Sequence, residues 1–294
     1  MISSSILNLM MELITLSFVI PIVFIAVWKM RTRASLVPVF VGAGIYLLFA
    51  ELFQSVPDTL FIGMPHPLAD VINHNVWLLA LYTAVTAALL QGLGRYLAFR
   101  YFLSKQESPD IAVSFGLGFG CVGCIMALGI ANFRNYSFAQ LINQKQTDGL
   151  LKSVDAATAK SYQSLMKELT DMDRMDLLLT GIQQFAFLFL QVALAVLVFY
   201  AVHKAGQIRF LWISIGLHAL VIFLDAFWKA NVVPQFVVVL CVIILTAGVA
   251  QTAYRLYKSI PVQEKTKDDN QDGWNYAQKR YVSKEETQSK DTDL

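Results

Sequence analysis

Residues 178–202 read LLTGIQQFAFLFLQVALAVLVFYAV and contain no Asp, Glu, Lys or Arg. At 1.5 Å per residue, a helix of this length extends about 37 Å, enough to cross the roughly 30 Å of hydrocarbon in a bilayer. Similar apolar stretches occupy residues 6–28, 35–54, 76–103, 111–131, 209–229 and 233–257. The sequence therefore predicts an all-α fold, a polytopic membrane helical bundle of about seven transmembrane helices.

The distribution of charge supports this interpretation. Of the 44 charged residues, 15 lie in residues 258–294 and 12 in residues 132–176, which leaves 17 for the other 212 residues. A soluble domain needs more polar surface than that, so a cytosolic enzyme and a nucleic-acid binder are excluded. The net charge of +2 likewise indicates no polyanionic partner.

The short connections predict how the chain is oriented. Basic residues collect in the first, third and fifth connections and after the last span, at Lys29, Arg31, Arg33, Arg100, Lys105, Lys204, Arg209, Arg255 and Lys258. By the positive-inside rule this side is cytoplasmic, so the N-terminus lies outside and the C-terminus inside. We expect a transmembrane domain over residues 1–257, with a polar extracytoplasmic loop at 132–176, followed by a disordered cytoplasmic tail at 258–294.

Polar residues inside the spans are candidates for a functional site, since each is costly at membrane depth. Gln91 and Arg95 share one face of the third span, where Arg95 is either the cation of a buried site or a side chain that snorkels to the interface. In the sixth span, His218 is either a ligand or an interhelical hydrogen-bond donor. Cys121 and Cys124 form an isolated Cys-x-x-Cys that we interpret as helix packing.

No metal site and no cofactor are expected from these residues. A metal site needs three or four clustered His, Cys, Asp or Glu ligands, and the four histidines are dispersed along the sequence. A nucleophile would need a base within reach, and the sequence assigns none.

The order of these elements nevertheless resembles that of the YhfC family, multipass bacterial membrane proteins grouped with the CPBP (Abi-type) intramembrane proteases. The run Gln91–Arg100 is similar to the family's Glu-Glu-x-x-Arg helix. It is followed by a glycine-rich helix at 116–123, by Gly181-Ile182-Gln183-Gln184 and by a His-Ala-Leu stretch that contains His218. The resemblance covers roughly residues 75–230 and implies the fold of an intramembrane protease.

The departures from the family pattern fall where the resemblance places the chemistry. The expected glutamate pair is Gln91-Gly92, the expected histidine and glutamate of the glycine-rich helix are Phe119 and Gly123, and Gln191 stands where a further histidine is expected. Arg95 and His218 are retained. Because a glutamine amide cannot accept a proton near pH 7, the resemblance implies a catalytically disabled relative, a pseudoprotease.

Three functions stay open at this point. The first is a non-catalytic protein that binds a membrane-protein or peptide partner within the lipid bilayer. The second is an active peptidase with an altered site, in which Glu12, Glu51, His74 or Asp225 supplies the acid or base. The third is a transporter-like protein, for which the sequence offers no internal repeat.

Overall fold

A computed structural model describes residues 1–260, which form ten helices and no strand. The helices are α1 Ser4–Thr32, α2 Val37–Gly63, α3 Pro67–His74, α4 Val76–Phe102, α5 Asp110–Asn143, α6 Thr147–Lys152, α7 Ala156–Asp171, α8 Arg174–His203, α9 Arg209–Lys229 and α10 Gln235–Ser259. Seven of them, α1, α2, α4, α5, α8, α9 and α10, are long and apolar enough to cross a membrane. The predicted all-α class and the seven spanning helices are confirmed.

The second span is longer than the sequence predicts. The apolar stretch 35–54 predicts an end at residue 54, whereas α2 continues through Pro57 to Gly63. π-helical turns at Leu47–Leu52 and Thr59–Gly63 lie on either side of the proline. Such local changes of bonding pattern let an apolar helix accommodate the hydrogen bond that a proline removes.

The fourth span also extends past its predicted end, from residue 131 to Asn143. The polar side chains in this extension find partners within the protein: Asn132 donates to the carbonyl of Leu128 at 2.8 Å. Asn143 accepts from the backbone N–H of Ile2 at 2.8 Å and donates to its carbonyl at 3.0 Å. Together with α6 and α7, this extension makes most of the segment 132–176 helical.

The centre of the bundle is formed by α5 and α8. In the apolar 18-residue stretch of each helix, the buried share is 67% in α5 and 61% in α8. It is 22–33% in the other spanning helices. Glycines allow this close packing: a Cβ at Gly116 would lie 2.6 Å from Cα of Val192 in α8, and one at Gly118 would collide with the backbone of Val39 in α2. On this centre, α2 packs against α5, α10 packs against α8, and α4 pairs with α9.

The predicted domain boundary at residue 257 and the predicted sides of the membrane stay predictions. Helix α10 ends at Ser259, and most of the predicted disordered tail, residues 261–294, lies outside the described residues.

Candidate functional site

Three polar side chains from three different helices form a hydrogen-bonded chain in the interior. Arg95 of α4 is fully buried, and its Nη2 donates to Oε1 of Gln191 in α8. The Nε2 atom of the same glutamine lies 3.2 Å from Nε2 of His218 in α9. Gln191 therefore joins Arg95 and His218, the two residues that the resemblance predicts to be retained.

The hydrogen bonds that join Arg95, Gln191 and His218 determine which nitrogen of His218 carries the proton. Because Oε1 of Gln191 accepts from the cationic Arg95, the amide NH₂ of Gln191 is the group that faces His218. Nε2 of the imidazole must then accept, and the proton lies on Nδ1. The Nε2 lone pair, which a base or a metal ligand would use, is engaged by Gln191.

The ring of Phe119 packs against the guanidinium of Arg95. The central carbon of Arg95 lies 4.4 Å from the centroid of the Phe119 ring, a cation–π arrangement. The Phe119 ring in turn meets Tyr46 edge to face, with centroids 5.1 Å apart. Phe119, where the resemblance predicts a histidine, therefore contacts Arg95 directly.

A cavity of about 150 Å³ opens beside these three hydrogen-bonded side chains. Twelve residues line it: Tyr46, Gln91, Gly120, Gly123, Cys124, Ala127, Gln184, Phe187, Leu188, Gln191, His218 and Ile222. Buried polar atoms around it, Oε1 of Gln91, Nδ1 of His218, and Nε and Nη1 of Arg95, have no hydrogen-bond partner among residues 1–260. The structure thus brings four of the candidate site residues to one cavity: Gln91, Gly123, Gln191 and His218.

Two of the candidate positions, Gly92 and Gly123, leave no room for a larger side chain. A Cβ at Gly92 would collide with Ile215 of α9. A Cβ at Gly123 would lie 2.9 Å from Cε2 of Tyr46, whose ring occupies the adjacent space. A glutamate at either position would require its neighbour to move.

Tyr46 is a cavity residue that sequence reasoning missed, because one tyrosine in an apolar span gives no signal of its own. The local geometry offers one: the π-helical turn Leu47–Leu52 begins directly after it. A second π-helical turn, Ile125–Ile130, follows Cys124 and carries Ala127 into the cavity wall. Such turns are frequent at functional sites, since they change the direction in which side chains project.

Three of the alternative acid and base candidates are distributed around the molecule. Asp225 accepts from Nε2 of Gln183 at 2.6 Å and lies 3.6 Å from Nζ of Lys229, so it belongs to a separate polar cluster. Glu12 is exposed on α1, and the ring of His74 bonds to a backbone carbonyl within α3.

Glu51 is close to the site along the sequence. It lies in the π-helical turn Leu47–Leu52, which begins directly after the cavity residue Tyr46. Glu51 itself is exposed.

The cysteines of the Cys-x-x-Cys are both buried and free. Sγ of Cys121 lies 3.9 Å from the carbonyl oxygen of Pro21 in α1, and Cys124 lines the cavity.

Comparison with known proteins identifies the family. The fold and the site together define the class of protein, a polytopic helical membrane protein with a buried Arg–Gln–His site. The family model described as YhfC intramembrane metalloprotease matches residues 16–244, a wider range than the 75–230 expected from the motifs, and the chain belongs to this family. The uncharacterized membrane protein YhfC of Bacillus subtilis (strain 168) is 28% identical over 205 residues, which cover 70% of this chain and 78% of that protein. No solved structure matches.

The family description implies a metal ion, and the described part of the chain, residues 1–260, offers no side-chain cluster that fits one. Among residues 1–260, no group of three or more His, Cys, Asp or Glu side chains lies close enough together to hold a metal. The interior site offers one imidazole, whose Nε2 is engaged, together with neutral amides and a guanidinium. A buried positive charge disfavours a cation nearby, and amides are poor ligands for zinc.

Proposed function

We propose that this chain is a non-catalytic member of the YhfC family that binds a membrane-embedded peptide segment in the cavity beside Gln91, Gln191 and His218. One observation carries the proposal: the amide of Gln191 bonds to both Arg95 and His218, so the imidazole has no free basic nitrogen at Nε2. A general base needs such a lone pair within reach of its substrate.

The remaining polar atoms support binding of a peptide group. Nδ1 of His218 carries a hydrogen and has no acceptor among residues 1–260, while Oε1 of Gln91 has no donor there. A peptide bond offers one carbonyl and one N–H, which complement this donor and this acceptor. At membrane depth, where water is scarce, each of these unsatisfied atoms favours a ligand group that satisfies it.

The proposal is tested by photo-crosslinking from inside the cavity. A benzoylphenylalanine at Phe187, which lines the cavity, is irradiated in native membranes, with Ala247 on the exposed face of α10 as the control position. We expect a small set of membrane segments at Phe187 and only lipid at Ala247. The captured segment is then reconstituted with the purified protein.

Two results decide this experiment. Intact segment that binds the wild type and is released by His218→Ala supports the proposal. Recovery of cleaved segment, or capture of lipid alone at both positions, overturns it.

The position of Glu51 favours one rival, a peptidase with a relocated carboxylate. Glu51 lies in the π-helical turn that follows the cavity residue Tyr46 and is the candidate acid for such a reaction. The rival predicts that Glu51→Gln abolishes cleavage of a membrane segment, whereas the binding proposal predicts that Glu51→Gln leaves capture at Phe187 unchanged.

A further inference from the structure

A second, larger cavity runs along the outside of the bundle. It is an apolar groove of about 460 Å³ between α1 and α10, with α8 as its floor. The floor consists of Phe189, Val192, Ala193 and Val196, and the α10 wall of Ala250, Ala253, Tyr254 and Tyr257. Each set has the spacing i, i+3, i+4, i+7 and therefore forms one continuous helix face.

Small side chains keep this groove open. Both α1 and α10 pack on α8, but they barely touch each other. Ala193, Ala250 and Ala253 project only methyl groups into the space between them. In a bilayer this space is filled, because an empty crevice would forfeit the dispersion contacts of every atom that lines it.

One end of the groove is polar and basic. Trp28, Arg31 and Thr32 of α1 line it there. Arg31 is exposed, and no acceptor lies within hydrogen-bonding distance of its side chain among residues 1–260. Nζ of Lys258 lies 4.5 Å from the ring centroid of Tyr254, which adds a second positive charge at this end.

Two aromatic residues at this end are fixed by hydrogen bonds to residues that do not line the groove. Nε1 of Trp28 donates to Oγ of Ser114 at 3.0 Å. The hydroxyl of Tyr257 donates to Oδ1 of Asp110 at 2.5 Å, which engages that carboxylate. The faces of these aromatic rings can therefore contact an apolar ligand. The guanidinium of Arg31 can contact the head group of that ligand.

We propose that this groove binds an anionic phospholipid, with one acyl chain between α1 and α10 and the phosphate at Arg31. Basic pockets between membrane helices recognise anionic head groups, and aromatic side chains position the lipid at the level of the interface. The proposal does not depend on the interior site, which lies on other faces of α8.

The test uses the full chain in nanodiscs that contain phosphatidylglycerol or phosphatidylcholine. Native mass spectrometry measures the lipid that each protein retains after transfer to detergent. We expect phosphatidylglycerol to be retained over phosphatidylcholine, and Arg31→Gln to reduce this preference about fivefold, as loss of one basic contact of about 1 kcal/mol requires. Arg100→Gln is the control, because it removes the same charge from an exposed residue outside the groove.

A second pair of variants tests the acyl chain separately from the head group. Ala250→Leu fills the groove and should abolish retention of both lipids, whereas Ala247→Leu on the exposed face of the same helix should not. Equal retention of both lipids by the wild type, or an identical effect of Arg31→Gln and Arg100→Gln, overturns the proposal. So does a cross-linked dimer that shows the groove to be covered by a second copy of the chain.

Discussion

Nε2 of Gln191 and Nε2 of His218 lie 3.2 Å apart on facing helices, in a part of the bundle where both side chains are buried. The contact engages Nε2 of His218, the imidazole nitrogen that a catalytic centre would need to be free. It also connects His218 to the buried charge of Arg95. The stability of the interior and the chemistry of the site therefore depend on the same glutamine.

Replacement of Gln191 by leucine should destabilise the protein. Gln191→Leu leaves both Arg95 and His218 without this partner, and each buried unsatisfied group costs about 1–3 kcal/mol. Unfolding in mixed micelles measures the loss. Gln184→Leu is the matched control, since Gln184 lines the same cavity and makes no hydrogen bond within residues 1–260. Equal losses in the two variants would contradict the assigned role of Gln191.

The contact between α5 and α2 should not tolerate a methyl group at Gly118. A Cβ there would lie 2.7 Å from the carbonyl carbon of Val39, and backbone cannot yield as a flexible side chain can. We expect Gly118→Ala to cost about 1–3 kcal/mol. Gly248→Ala, where a Cβ meets nothing within 4 Å, should instead stabilise the protein by up to about 1 kcal/mol. Thermal unfolding of both variants distinguishes the signs.

Gly123 and Tyr46 should show energetic coupling. Gly123→Ala places a methyl group against the tyrosine ring, and Tyr46→Ala removes that ring. The cost of Gly123→Ala should therefore fall by about 0.5–3 kcal/mol in the Tyr46→Ala background. A double-mutant cycle measures this difference. Strict additivity of the two substitutions would show that Tyr46 does not occupy the space beside Gly123.

The sequence predicted the elements of this fold better than their lengths. Apolar runs located all seven spans, but α5 extends to Asn143 because its polar side chains bond to backbone groups, which no hydropathy pattern reveals. The interior site was partly predictable, since Gln91 and Arg95 share a helix face. The bond from Gln191 to His218 and the place of Tyr46 depend on how separate helices pack, so spacing along one helix could not indicate them.

The start of α7 should respond to acid. Asp155 caps this helix, and hydrogen bonds from the backbone N–H and then the hydroxyl of Thr158 hold the pKa of its carboxyl below the ordinary value. A lowered pKa means that the stabilisation is present above the unfolded pKa, about 3.9, and is lost as the pH falls through the folded one.

Hydrogen exchange between pH 7 and pH 3, corrected for intrinsic rates, measures this effect in residues 157–161. Protection there should fall in the acid range in the wild type. The variant Asp155→Asn retains the capping geometry without a titrating group, so its protection should stay constant across the same range. The same acid sensitivity in both proteins would assign it to another group.

The proposal that this member of the YhfC family does not cleave membrane segments is decided by terminal-peptide mass spectrometry. Membranes from cells that produce the wild type are compared with those that produce the double variant Gln91→Ala/His218→Ala at matched protein levels. We expect the same set of protein N-termini in both membranes. Cleavage sites within membrane segments that occur with the wild type and disappear with the double variant would contradict the proposal.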